Sequence, residues 1–325
     1  MSKSKYSLTL LVLCCLQALA QPTTPAVKPA LEIRIADSRG EAAKSLMLSA
    51  AVVGQRIVAV GERATVLLSD DGGAHYRQAQ RVPVTSTLTG VSFANERLGW
   101  AVGHWGVILN TTDGGENWTM QRSDMSTDQP LLDVHFMDDQ HGVAVGLWSL
   151  ILYTQDGGKT WLKGDPPATD GARRFDLNLY HLFAGAAGEL FASAEKGKIL
   201  RSTDAGLSWA VIDTGYKGSL WSGILARDGT LLVGGLRGTI LRSEDQGKTW
   251  QNLKTDSTSS VTGLSQLPDG SIVGAALDGV SLESKNGRSF TVKKSPDGST
   301  FTWIGAMADG QVLVMSRNGP VRLQR

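Results

Sequence analysis

Cysteine is almost missing. The 325 residues hold two, Cys14 and Cys15, side by side within the first twenty. Downstream of them no disulfide framework, thiol nucleophile or cysteine-bound zinc can be built. A surplus of one charge is missing too. The 32 Lys and Arg are balanced by 31 Asp and Glu, which argues against a dedicated nucleic-acid binder, whose phosphate contacts call for a basic excess. No segment carries a 3.6-residue apolar period over twelve residues, so long amphipathic helices are not expected. The apolar run from Leu8 to Leu19 is only about a dozen residues, too short for a comfortable bilayer span.

That run has the anatomy of a secretory signal. Lys3 and Lys5 precede it, and Ala18-Leu19-Ala20 before Gln21 reads as a cleavage site. Leu13 stands before Cys14 where a lipoprotein signal has a small residue. Residues 1–20 are therefore expected to be a signal peptide, and the protein to be exported, periplasmic or on the outer face of the cytoplasmic membrane. Residues 21–30, QPTTPAVKPA, hold three of the ten prolines and read as a spacer. The folded domain is expected over 31–325.

What the chain has in quantity is Gly, with 38 residues, and Trp, with nine. Much of both sits in one recurring segment. TTDGGENW ends at Trp118, TQDGGKTW at Trp161, STDAGLSW at Trp209 and SEDQGKTW at Trp250. SDDGGAHY, ending at Tyr76, and SKNGRSF, ending at Phe290, are looser copies. Aligned on Asp71, Asp113, Asp156, Asp204, Asp245 and Asn286, the steps are 42, 43, 48, 41 and 41 residues. A fixed period of this size marks a propeller or a similar array. A second landmark is a small residue with a turn residue two places later. It falls at Gly61, Gly103, Gly146, Ala194, Gly235, Ala276 and Ser316, one copy more than the box.

Each unit reads as four short strands, in the second near Leu88–Phe93, Trp100–Gly103, Val107–Thr111 and Trp118–Gln121. Residues 41–49 should form the inner strand of the first. The last unit stops after its third strand, and the alternating segment Leu31 to Ala36, LEIRIA, is expected to supply the fourth and close the ring. The fold expected is all-β, a seven-bladed propeller of four-stranded antiparallel blades closed by the N-terminal strand.

The box falls at the hairpin between third and fourth strands. There Gly allows positive φ, Asp accepts from backbone N–H groups of the turn, and the preceding Ser or Thr hydroxyl adds a local bond. The Trp offers about 150–250 Å² of ring to the gap beside the turn. Six equivalent turns act as staples, whereas catalysis needs one asymmetric constellation. The pattern resembles the Asp-box, or bacterial neuraminidase repeat. The longer units GWAVGHWGVILNTTDGGENW and GVAVGLWSLILYTQDGGKTW are similar to the photosystem II stability and assembly factor family, over about residues 40–325. That resemblance implies a non-enzymatic seven-bladed propeller outside the cytoplasm. Members in oxygenic photosynthesis help assemble the photosystem II reaction centre by binding a membrane-protein subunit.

Other chemistry finds little support. Gly158-Lys159-Thr160 and Gly247-Lys248-Thr249 mimic the end of a phosphate loop, but Tyr153 and Arg242 replace its first Gly and both segments lie in hairpins. His75, His104, His135, His141 and His181 lack metal-ligand spacing. Asp133 and His135 point the same way on one strand, with no nucleophile placed beside them. Asn110 and Asn117 begin formal glycosylation sequons. Arg34-Ile35-Ala36 faintly resembles the sialidase arginine motif, and Tyr180 or Tyr216 could serve as its nucleophile. The Pro of that motif is absent, however, and the units number seven where sialidases use six. A glycan-binding protein or Asp-box glycoside hydrolase is the alternative reading.

In a propeller, loops joining second and third strands share a face with the blade-to-blade loops, and loops carry function. The first set places Arg63, His104, Trp105, Trp148, Lys196, Arg237 and Arg317 there, and the second Arg81, Arg122, Arg173 and Arg174. Arg beside exposed Trp favours protein recognition. The expectation is a monomeric scaffold, peripheral to a membrane at most, that docks a membrane or envelope protein or its precursor. No cofactor and no metal are expected.

Overall fold

The computed structural model describes residues 41–167 and 176–323. Seven antiparallel sheets follow one another along the chain. Blade 1 comprises β1 (Met47–Val53), β2 (Arg56–Gly61), β3 (Val66–Ser69) and β4 (Arg77–Gln78). Blade 2 comprises β5 (Leu88–Phe93), β6 (Gly99–Gly103), β7 (Ile108–Thr111) and β8 (Thr119–Arg122), within a residue of the sequence reading. Blades 3 to 6 repeat the order over 131–163, 179–213, 220–253 and 261–294. Blade 7 has three strands, Phe301–Ala306, Val312–Ser316 and Gly319–Leu323. The expected closing strand, Leu31 to Ala36, lies outside the described residues, as do the expected signal and spacer. The first inner strand starts later than expected: Ala42–Lys44 forms a 3-10 turn and β1 begins at Met47. Among the described residues no helix is long and apolar enough to cross a membrane.

The core is divided as a ring requires. Seven buried apolar clusters each bridge two neighbouring blades. One joins Met47, Ile57 and Leu67 of blade 1 to Leu313 and Met315 of blade 7, so the closing interface is packed like the others. Second strands are buried almost throughout, because both of their faces meet another blade. Thr302 Oγ1 of blade 7 donates to the Met47 carbonyl of blade 1 at 2.6 Å, completing the circle.

Each inner strand carries the same bulge near its start. The pairing steps from Met47 to Ser49, Leu88 to Gly90, Leu131 to Asp133, Leu179 to His181, Leu220 to Ser222, Val261 to Gly263 and Phe301 to Trp303. A bulge leaves one residue out of the ladder and re-aims its side chain. The residues left out are Leu48, Thr89, Leu132, Tyr180, Trp221, Thr262 and Thr302, and together they line the mouth of the central channel.

Candidate functional site: the loop face and channel mouth

The boxes build the scaffold first. In blade 2, Thr111 Oγ1 donates to Asp113 at 2.9 Å and accepts the Gly115 N–H at 3.0 Å. Asp113 also accepts the Asn117 N–H and its side-chain amide, both at 2.9 Å. The Trp118 indole N–H donates to the Gly115 carbonyl at 2.9 Å, and its ring enters the cluster between blades 1 and 2. Trp161, Trp209, Trp250 and Phe290 likewise each enter the cluster shared with the preceding blade, and Tyr76 enters the one between blades 7 and 1. The box is thus a staple between blades. The copy in blade 6 keeps the turn with Asn286, which accepts from the Arg288 and Ser289 N–H groups.

These hydrogen bonds tie the box to pH. The Thr160 hydroxyl and N–H hold the Asp156 carboxyl down at about 2, and the Thr249 hydroxyl and N–H do the same for Asp245. Asp71, bonded by the His75 N–H and ring, is lowered as well, and so is Asp204, where desolvation acts the other way but is outweighed by the Ser208 and Ser202 hydrogen bonds. A carboxyl with a folded pKa below its unfolded value favours folding above the unfolded value, and that contribution is lost as pH falls through the folded one. Stability is therefore expected to hold down to about pH 4 and to fall from there toward pH 2. Urea titrations across that range should show Asp156→Asn and Asp245→Asn each flattening the loss.

The opposite face holds the loops between second and third strands. Residues 104–107 form a two-residue reverse turn closed by the Val107 N–H on the His104 carbonyl, with positive φ at both central residues. This is the primed turn that suits Asn-Gly. Here its first central position carries large side chains instead. Arg63, Trp105, Trp148, Lys196, Arg237 and Asp278 all have φ between 52° and 60°. The left-handed region costs a non-glycine residue roughly 1–2 kcal/mol, and it is occupied at the same place in six blades. The small residue two places earlier is explained by close approach: a Cβ on Gly103 would lie 2.1 Å from the Thr87 carbonyl.

The blade-to-blade loops brace these turns. The Trp148 N–H donates to Asn178 Oδ1 at 3.0 Å, and Asn178 in turn donates to Glu195 Oε1 at 3.0 Å. The Leu236 N–H donates to the Ser219 carbonyl, and the Arg317 N–H to that of Thr300. Arg63, Trp148, Lys196, Arg237 and Arg317 stand exposed on this face, Trp148 with half its surface in solvent. Among the described residues the side chains of Arg63, Lys196, Arg237 and Arg317 make no ion pair or hydrogen bond.

Two of the expected residues stay on this face but are only partly exposed, and two are placed differently. Trp105 packs against the cluster between blades 1 and 2, and His104 lies 4.0 Å from Asp128. Arg122 is drawn under the Trp105 turn, donating to the Gly106 carbonyl at 2.7 Å and pairing with Asp124. Arg81 sits elsewhere: its N–H donates to the Glu116 carbonyl and its carbonyl accepts the Trp118 N–H, beside the box of blade 2. Arg173 and Arg174 lie outside the described residues. The face is also less one-sided than the arginine count suggests, because Glu62, Asp128, Glu195 and Asp278 share it. Those carboxylates accept local donors, from Leu46, Trp105, Asn178 and Ser259.

The channel opens at the centre of this face. Sequence reasoning missed its ring, although the signal was present: each ring residue lies 13 or 14 positions before the small landmark. Deeper in the channel, His181 Nδ1 meets Asp133 Oδ2 at 2.7 Å. Asp133 thus pairs with the next blade and not with His135 of its own strand. Burial lowers the His135 pKa and favours its neutral ring.

A family model described as photosynthesis system II assembly factor YCF48 matches residues 49–123 and 119–323. The chain belongs to that family. Among solved structures, YCF48 bound to D1 peptide is 21% identical with a TM-score of 0.71, covering 92% of this chain and 100% of that one. YCF48 from Cyanidioschyzon merolae is 17% identical with a TM-score of 0.68, covering 88% and 96%. The propeller fold itself is widely shared: the WD40 propeller domain of Doa1 is 16% identical with a TM-score of 0.66, covering 89% of this chain and 95% of that one. No curated protein matches significantly. Membership of the YCF48 family confirms the resemblance read from the GWAVG and box segments, and the likeness to its solved members carries the fold.

Proposed function

We propose that this protein is an exported, non-enzymatic scaffold whose loop face docks a segment of a membrane or envelope protein, or of its precursor, during assembly of a larger complex. The observation that carries the reading is the set of six large or charged residues kept in left-handed turns on one face, with Arg63, Trp148, Lys196 and Arg237 exposed. Strain repeated at one place in six blades is not needed for folding, since Gly or Asn would relieve it. It fixes where the side chains point before a partner arrives, which reduces the entropy lost on docking. Family membership supports the assembly role, and the YCF48 structure bound to D1 peptide supports a protein segment as the class of partner. In a photosynthetic host the docked protein would be a photosystem II subunit.

Charge reversal at Lys196, Arg237 and Arg317 tests this. Co-purification with membrane-protein partners from the native envelope is expected to fall at least about tenfold. The melting temperature should stay unchanged, because these side chains are exposed. Undiminished co-purification would end the reading. Binding on a glycan array would favour the carbohydrate alternative.

A further inference from the structure

The channel mouth has a chemistry that the loop face alone does not. Its wall is made of the seven bulged residues, one from each blade, around a space of about 390 Å³. That volume lies within the range of small-ligand sites. Three of the seven are threonines whose hydroxyls are already engaged. Thr89 Oγ1 donates to the Leu131 carbonyl at 2.7 Å, Thr262 to that of Phe301 at 2.9 Å and Thr302 to that of Met47 at 2.6 Å. Each latches onto the next blade, so methyl groups are what these threonines offer the channel. Leu48 and Leu132 add isobutyl groups. Tyr180 and Trp221 stand edge to face at 6.4 Å, and the Tyr180 hydroxyl reaches Glu195 on the rim. The mouth is mostly apolar although it opens to water.

Around it stand Arg63, Lys196, Arg237 and Arg317, whose side chains make no ion pair or hydrogen bond among the described residues, while Glu62, Asp128, Glu195 and Asp278 of the same face are tied to local N–H and hydroxyl donors. Those carboxylates keep their charge, so the face carries both signs, but the side chains on it that still lack any partner are these cations. An apolar socket inside a ring of available cations is complementary to an acidic chain segment bearing one bulky apolar side chain.

We infer that the mouth of the central channel receives a single large apolar or aromatic side chain of the docked segment, whose neighbouring carboxylates are met by Arg63, Lys196, Arg237 and Arg317. This rests on the docking reading above and adds what the segment must contain. The apolar side chain loses its hydration against Leu48, Leu132, Trp221 and the threonine methyls, and the cations fix the direction of the chain across the face.

Fluorescence anisotropy of the full chain with labelled peptides Ac-DEGXGED-NH2, where X is Trp, Phe, Leu, Ala or Ser, tests the inference. The Trp, Phe and Leu peptides are expected to bind at least about tenfold more tightly than the Ala and Ser peptides. In the variant Leu48→Gln/Leu132→Gln all five should bind with the weak affinity of the Ala peptide. In Lys196→Glu/Arg237→Glu all five should lose binding. If the double glutamine variant does not fold, Leu132→Gln alone carries the test, with a smaller loss of preference expected. Binding that depends on the cations but not on X would overturn the channel inference and leave the docking face standing. An apolar preference that survives in the folded glutamine variants would place the socket elsewhere and likewise overturn the inference. No binding by any peptide would count against both.

Discussion

Trp118→Ala is expected to destabilise the protein by about 3–5 kcal/mol in guanidinium unfolding. Trp118 is among the largest side chains with essentially no exposed surface. It meets the Phe93 ring edge-on at 6.3 Å and packs with Val58, Leu68 and Leu109 across the junction of blades 1 and 2. Truncation opens a cavity that the flanking strands cannot close, because their register is fixed by pairing within each blade. It also leaves the Gly115 carbonyl without the indole N–H it accepts in a buried turn. Whole domains are held by only about 5–15 kcal/mol, so this one change removes a large share. Trp250, in the equivalent box of blade 5, is only partly buried, so Trp250→Ala should cost distinctly less. If both variants lost under about 1 kcal/mol, the box would not be a staple between blades.

The contrast between these two tryptophans marks how far the sequence can be read. Period, turn chemistry and the aromatic that ends each box are local, and they placed the strands of blade 2 to within a residue. How deeply each aromatic sinks depends on the preceding blade, which lies more than a turn of sequence away. The channel mouth was missed for a related reason. Its seven residues, Leu48, Thr89, Leu132, Tyr180, Trp221, Thr262 and Thr302, share no chemistry, only a place at a bulge. A bulge is a feature of pairing, and composition does not reveal it. The loop face was half legible. The landmark found the turns at Arg63, Trp148, Lys196 and Arg237, because their geometry is local. That Arg122 would bend under the Trp105 turn, and that Arg81 would lie against the next box, followed from the path of the blade-to-blade segments, which no short pattern encodes.

Deleting residues 31–36 is expected to have the other large effect, on the order of 5 kcal/mol if Leu31, Ile33 and Ile35 each bury a side chain against blade 7. Six blades have four strands, and blade 7 has three among the described residues. Its third strand, Gly319–Leu323, therefore has one edge with no described partner, and Val321 stands exposed on it. An unpaired edge of this kind templates association with other chains. The chain that enters β1 already runs past that strand: the Ala43 carbonyl lies so close to Gly319 that a Cβ there would fall 1.8 Å away. A strand supplied from upstream would need only a short connection to reach that edge, and short connections cost least in loop-closure entropy. The alternation of LEIRIA suits a strand with one face inward. The shortened chain should melt earlier and form concentration-dependent oligomers on size exclusion, and a synthetic LEIRIA peptide added in excess should reverse both. The ring would still be joined between Thr302 and Met47 and through the cluster of blades 7 and 1, so the expected damage is a frayed blade and not an opened circle. A monomer as stable as the full chain would show that the seventh blade needs no outer strand, and the cluster between blades 7 and 1 would then have to hold the ring by itself.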